Sequence, residues 1–225
     1  MTRLTAQSPT SLKTDLSTTS LKSIEQEARR VLYNDGIIVF PTETFYGLAV
    51  QVQSEKALCR LAELKGDRGG KSFPLIVDSV KSVATLACIP DELQPFVEAF
   101  WPGPLSLSLQ PKVSVPSQVL SPRGELGVRV SSHQVAHALA TWAGGCITAT
   151  SANSAGLPPA YRCDHLSEEI LSGADLIIDA GLCPGGKPST IIGLREGAGV
   201  IWRLGAISKE DLDEVRGLRF EEVQT

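Results

Sequence analysis

Short runs that are apolar at every position constrain this chain most, and Ile37-Ile38-Val39-Phe40 is the clearest of them. A strand with one face in water alternates apolar and polar side chains, whereas a strand apolar throughout is covered on both faces, as in a sheet flanked by helices. The run stops at Pro41. Before it, Ser23 and Gln26 fit a capping box, Ile24, Ala28, Val31 and Leu32 share a helical face, and Asn34-Asp35-Gly36 signals a turn. A helix therefore leads into the first strand.

Further strands are expected at 48–52, 74–77, 105–109, 127–130, 146–150, 176–179, 189–193 and 199–203, and further helices at 54–64, 79–86, 91–100, 132–142 and 208–216. Ala57, Leu58, Leu61 and Leu64 mark one of these helices and Val135, Ala138, Leu139 and Trp142 another, both at the helical period. This alternation predicts an α/β fold. No internal repeat or long Pro/Gly/Ser-rich linker interrupts it. One unit is expected at 21–217, between a polar, mobile leader at 1–20 and an acidic tail at 218–225.

Charge and cysteine content exclude several function classes. With 21 Lys and Arg against 25 Asp and Glu, the net charge is −4, so the global positive field that drives sequence-independent nucleic-acid binding is missing. An anion site has to be local. Cys59, Cys88, Cys146, Cys163 and Cys183 form no C-x-x-C pair and have no histidine at metal spacing, which indicates neither a zinc cage nor a disulfide framework. The first twenty residues lack the apolar segment of a secretory signal, and no run is long enough to span a bilayer. Reduced thiols and a cytoplasmic location are the expectation, with no metal site and no membrane partner.

The chemistry is expected at the ends of the apolar strands, where α/β folds place their ligand crevices. Pro41-Thr42-Glu43-Thr44-Phe45-Tyr46-Gly47-Leu48 sets two hydroxyls, a carboxylate and a phenol after a buried strand. Lys65-Gly66-Asp67-Arg68-Gly69-Gly70-Lys71-Ser72 combines cations with glycines, a composition suited to phosphate or, equally, to a solvated basic loop. It is not a Walker A loop, and no G-x-G-x-x-G follows a strand. Trp101-Pro102-Gly103-Pro104-Leu105 reads as a rigid turn that packs the indole. Arg129 emerges from an apolar strand and needs a partner, either a substrate carboxylate or a structural acid. Thr148 to Gly156 and Ser189-Thr190 crowd hydroxyls and the Asn153 amide onto strand ends. No Ser/His/Asp or Cys/His signature appears, and His133, His137 and His165 read as surface or core residues. Positioning of anions without a covalent nucleophile is the chemistry these residues suggest.

In order and spacing, the segments at 41–48, 65–75, 101–109, Arg129 with His133, 150–156, 189–191 and 203–207 resemble the YrdC family of threonylcarbamoyl-AMP synthases. The likeness covers roughly residues 22–215. It implies a twisted mixed sheet with flanking helices around a concave basic cleft. The implied reaction condenses ATP, L-threonine and bicarbonate into threonylcarbamoyl-AMP and pyrophosphate, for the threonylcarbamoyladenosine modification of tRNA. Implied threonine contacts are Thr44, Tyr46, Arg129 and Ser189; implied ATP contacts are Lys65, Arg68, Lys71, Ser151, Asn153 and Arg203, of which Lys65, Arg68, Ser151 and Asn153 are the catalytic set. Mg2+ would arrive with the nucleotide, and the product would pass to a tRNA-modifying transferase complex.

Two positions depart from the family pattern. Asp67 stands where a Lys-x-Arg motif would have its arginine, with Arg68 one place later, and Asp78 stands where long-form members have a threonine-contacting histidine. The sequence extends only a little past Arg203, so the short, single-domain form is expected. The alternative is a paralogue that uses the same cleft for another nucleotide or carbamate reaction. Weak RNA binding through the basic cleft is a third class, disfavoured as the main role by the near-neutral body and few aromatics.

Overall fold

The computed structural model describes residues 9–66, 69–154 and 156–222. Twelve strands are described: β1 (Thr10–Lys13), β2 (Ile38–Phe40), β3 (Gly47–Ala49), β4 (Leu75–Val77), β5 (Leu105–Leu109), β6 (Leu126–Val130), β7 (Cys146–Thr148), β8 (Thr150–Ser151), β9 (Leu176–Asp179), β10 (Thr190–Arg195), β11 (Ala198–Arg203) and β12 (Phe220–Glu222). The α-helices are α1 (Thr18–Tyr33), α2 (Glu55–Lys65), α3 (Val80–Leu86), α4 (Gln94–Phe100), α5 (Gln134–Trp142), α6 (Glu168–Gly173) and α7 (Lys209–Glu214).

The strands form two mixed sheets. One has five strands in the order β1-β9-β2-β3-β8 and the other seven in the order β12-β11-β10-β5-β6-β4-β7. In the first, β1 and β2 run parallel to β9, whereas β3 pairs antiparallel with both β2 and β8. In the second, β5 lies between parallel β10 and antiparallel β6.

The two-faced apolar runs have the expected cause, because successive residues of one strand enter different cores. Ile37 and Val39 pack with Leu58, Leu61, Leu107 and Val128, while Ile38 and Phe40 pack with Ile24, Leu32 and Leu139 from α1 and α5. Ile177 of β9 and its neighbours Leu176 and Ile178 divide in the same way, as do Leu75 and Ile76 of β4. The Trp101 indole is buried and donates to the Leu105 carbonyl at 2.6 Å, as the turn reading expected.

Four expectations need correction. The first helix starts earlier, with Ser17 as its cap accepting from the Ser20 amide, so the Ser23 capping box is internal to α1. Part of the stretch expected as a mobile leader is built into the fold, because Thr10–Lys13 adds to the edge of the five-stranded sheet through β9; residues 1–8 lie outside the described residues. Phe220–Glu222, expected in the acidic tail, pairs with β11. The strand expected at 146–150 breaks at Ala149, so that β7 joins one sheet and β8 the other. Helix α6 was not anticipated: at six residues, it is too short to display a periodic face.

Candidate functional site

The loop after β2 is organised by one hydroxyl. Thr42 Oγ1 accepts from the Thr44 amide at 3.1 Å and the Phe45 amide at 3.2 Å, and donates to the Phe45 carbonyl at 2.7 Å. Such a side-chain-to-backbone turn fixes where the next residues project. Thr44 is buried, with its hydroxyl 3.0 Å from that of Thr42. Tyr46 is fully buried; its hydroxyl donates to the Gly181 carbonyl at 2.7 Å and lies 3.1 Å from Asp179 Oδ1. The phenol therefore ties down the turn after β9, and burial pushes its pKa well above the usual tyrosine range.

Glu43 bridges to the other sheet. One carboxylate oxygen accepts from Nη1 of Arg129, the penultimate residue of β6, and the other accepts from Ser131 Oγ. The partner left open for Arg129 is thus an acid of this chain, and the side chains of both are about nine-tenths buried, 8% and 11% exposed. Burial pulls the Arg129 guanidinium below its ordinary pKa, and the Glu43 charge opposes that pull. His133 caps α5 by accepting from the Val135 amide through Nδ1 at 3.3 Å, and burial lowers its pKa.

Lys65 closes α2 and is buried at 4% exposure. Its Nζ donates to the Ser151 carbonyl at 2.8 Å, to the Asn153 carbonyl, and to Asn153 Oδ1 at 3.2 Å. Asn153 continues the scaffold by donating from Nδ2 to the Leu157 carbonyl at 2.6 Å, while Ser151 Oγ donates to Asn153 Oδ1. The lysine expected to meet phosphate is therefore the post around which the Ser151-Ala152-Asn153 turn is wound.

On the third side, Arg203 donates from Nε and Nη2 to the Ser189 carbonyl at 3.1 and 2.9 Å, and from Nη2 to Ser189 Oγ at 3.0 Å. Ser189 Oγ lies 3.0 Å from Ser106 Oγ. Arg203 is exposed as a residue, yet the protein mass around its head group and the like charge of Arg129 lower its pKa to about 10. Gly205 is required here, since a Cβ would lie 2.1 Å from the Pro188 carbonyl oxygen and 2.7 Å from the Ser189 carbonyl carbon.

These groups surround one cavity of about 1040 Å³. Thr44, Tyr46, Lys65, Lys71, Arg129, Ser151, Asn153, Ser189 and Arg203 all line it. Arg68 and Asp67 lie outside the described residues. Among the described lining residues, Lys65, Lys71, Arg123, Arg129 and Arg203 supply positive charge and no carboxylate is present, in a chain whose net charge is −4. Asp78 does not line the cavity; its Oδ1 accepts from Ser79 Oγ at 3.1 Å.

Sequence reasoning missed one end of the cavity. Arg123 stacks on the Trp202 ring at 3.6 Å and pairs with Glu125 at 3.0 Å, and Glu125 also accepts from Ser108 Oγ at 2.7 Å. The only local hint is a cation beside the turn residues Pro122 and Gly124. Among the described residues no cluster of His, Cys, Asp or Glu is suited to a metal ion, and no helix is long and apolar enough to cross a membrane.

The Sua5_yciO_yrdC family model, described as telomere recombination, matches residues 30–205. The threonylcarbamoyl-AMP synthase of Pyrococcus abyssi is 33% identical over 182 residues, which are 80% of this chain and 54% of that protein. The chain thus spans about half the length of this relative. The threonylcarbamoyl-AMP synthase of Halorhodospira halophila is 31% identical, over 77% of this chain and 91% of its own length. Among solved structures, Pyrococcus abyssi Sua5 complexed with L-threonine superposes with a TM-score of 0.83 at 28% identity, covering 96% of this chain and 63% of that one.

Proposed function

The chain belongs to the Sua5/YciO/YrdC family, and on that premise we propose that it is a threonylcarbamoyl-AMP synthase. The observation that carries the reading is a cavity lined by five cations, several hydroxyls and no carboxylate among the described residues. Such a lining suits several anionic groups brought together: a triphosphate, an amino-acid carboxylate and bicarbonate.

The chemistry follows from these groups. The amine of L-threonine adds to the carbon of bicarbonate with loss of water, giving a carbamate. A carbamate oxygen attacks the α-phosphorus of ATP, the bond from that phosphorus to the bridging oxygen breaks, and pyrophosphate leaves. Arg129, with Nη1 engaged by Glu43, offers its remaining N–H groups to the threonine carboxylate, beside the hydroxyls of Thr44 and Ser189. The Tyr46 phenol acts at one remove, by fixing the turn after β9. Ser151 and Asn153, wound on Lys65, present their turn to the nucleotide, while Arg203 and Lys71 balance the phosphate charge. Mg2+ arrives with the triphosphate as part of the substrate.

Arg68 takes the role of the displaced family arginine in this reading. Arg68→Ala then loses turnover while Asp67→Ala is tolerated, because removal of a carboxylate near phosphates reduces repulsion. The product passes to a tRNA-modifying transferase in the cytoplasm.

The test is incubation of the purified chain with ATP, L-threonine and bicarbonate, with detection of the adenylate and of pyrophosphate. Pyrophosphate release is expected only when threonine and bicarbonate are both present, since the attacking carboxylate forms only from the two. Release at an equal rate without threonine would reject the synthase and favour a paralogue with another acceptor.

A further inference from the structure

Two arginines of the cavity stand in different electrostatic surroundings. Arg129 is paired with Glu43, and Ser131 Oγ holds the second oxygen of that carboxylate, so the acid is fixed at both ends. Among the described residues, Arg203, near enough for its pKa to be lowered by the Arg129 charge, donates only to the neutral carbonyl and hydroxyl oxygens of Ser189. The surroundings of Arg129 are therefore close to neutral in net charge, while its other N–H groups have no hydrogen-bond partner among the described residues. Arg203 has no carboxylate partner among the described residues and keeps its positive charge uncompensated.

These two electrostatic surroundings favour different guests. A zwitterionic amino acid brings one carboxylate and almost no net charge, and is recognised by geometry: a fork held in one orientation by a second carboxylate on its far side. A polyphosphate brings several negative charges, is drawn to uncompensated cations and is repelled by a fixed carboxylate one side chain away. The Glu43 bridge also joins the loop after β2 of one sheet to β6 of the other, so the orientation of the fork is set by the packing of both sheets.

We propose that Glu43 is a specificity-determining residue: it reserves the Arg129 fork for the amino-acid carboxylate and keeps polyphosphate off it. Glu43 acts through Arg129 without touching substrate, as a positioning residue. The inference rests on the synthase reading, in that it takes L-threonine as the amino acid.

The experiment is calorimetric titration of the full chain with L-threonine and, separately, with inorganic pyrophosphate, on the wild type, Glu43→Gln and Glu43→Asp. The Gln variant keeps the shape and an acceptor for Arg129 while removing the charge. It is expected to weaken threonine roughly tenfold or more, to tighten pyrophosphate, and to make pyrophosphate competitive with threonine. The Asp variant keeps the charge but shortens the reach, so it should weaken threonine and leave pyrophosphate unchanged. Equal weakening of both ligands in Glu43→Gln would reduce Glu43 to a structural support, and threonine affinity within about twofold of wild type would also overturn the proposal. If the Gln variant does not fold, the Asp variant decides: threonine weakened with pyrophosphate unchanged upholds the inference, and any other pattern rejects it. A wild type that fails to bind threonine rejects the synthase reading instead, while the pyrophosphate titrations still report on the Glu43 charge.

Discussion

Lys65 Nζ lies 2.8 Å from the Ser151 carbonyl and 3.2 Å from Asn153 Oδ1, groups 86 and 88 residues further along the chain. A buried ammonium that donates to backbone carbonyls fixes the path of the backbone more firmly than a contact between two side chains, because the carbonyls cannot rotate away. The end of α2 and the turn after β8 are thereby one rigid unit.

Lys65→Ala should therefore act on the turn before it acts on charge. Removing the donor takes the ammonium from the carbonyls of Asn153 and Ser151, the latter keeping only its bond from the Asn153 amide at 3.0 Å, a loss of about 2 kcal/mol. Nucleotide affinity by calorimetry is expected to fall at least tenfold, together with faster proteolytic cleavage between Asn153 and Leu157. Lower affinity with unchanged cleavage would point to direct contact with phosphate instead.

Gly205→Ala forces a methyl group against the backbone of Pro188 and Ser189, which no side-chain rotation relieves. Destabilisation of about 1–3 kcal/mol is expected by urea denaturation. Because Ser189 is displaced, threonine affinity should fall by more than that loss of stability alone explains. A normal melting curve with intact binding would contradict the close approach.

Tyr46→Phe removes the hydroxyl that holds the Gly181 carbonyl, at a cost of about 1 kcal/mol. The pH dependence has a definite sign. The phenol is held above its ordinary pKa in the folded chain, so its contribution is complete below about pH 10 and is lost as pH rises beyond that value. Between pH 9 and pH 11, wild-type stability should fall more steeply than that of Tyr46→Phe; parallel slopes in urea titrations would refute it.

Thiol reactivity should divide the five cysteines. Cys59 and Cys88 are exposed. Burial pushes Cys146 and Cys183 up to about 11 and Cys163 to about 12, so little thiolate is present in these three at pH 8. A chromogenic disulfide reagent should titrate two thiols quickly in the native chain and the other three only after unfolding or at strongly alkaline pH. Rapid reaction of all five would mean that the turns carrying Cys163 and Cys183 are open.

Much of the fold was legible in the sequence because internal strands covered on both faces leave an unmistakable mark. Runs such as those that became β2, β4 and β9 were placed within a residue or so. Edge strands leave no such mark: Thr10–Lys13 is mostly exposed and takes its strand form from β9, more than 160 residues away. The division into two sheets is likewise invisible locally, because it depends on the break at Ala149. For the site, the motif residues could be named from their resemblance, but their partners could not. Glu43 meets Arg129 across 86 residues, and Arg123 meets Trp202 only because β11 passes nearby. Nothing in a linear pattern encodes such pairings.

The parallel placement of β9 between β1 and β2 has a consequence for how the chain is made. During synthesis, β2 can form its hairpin with β3 early, but its other edge stays unpaired, and β1 has no neighbour, until residues 176–179 have left the ribosome. Non-local pairing of this kind is slow and leaves apolar strand edges open to other chains. The interval between translation of Phe40 and of Asp179 is thus when the nascent chain most needs a chaperone. A pause placed in that interval should lower soluble yield more than one placed after it.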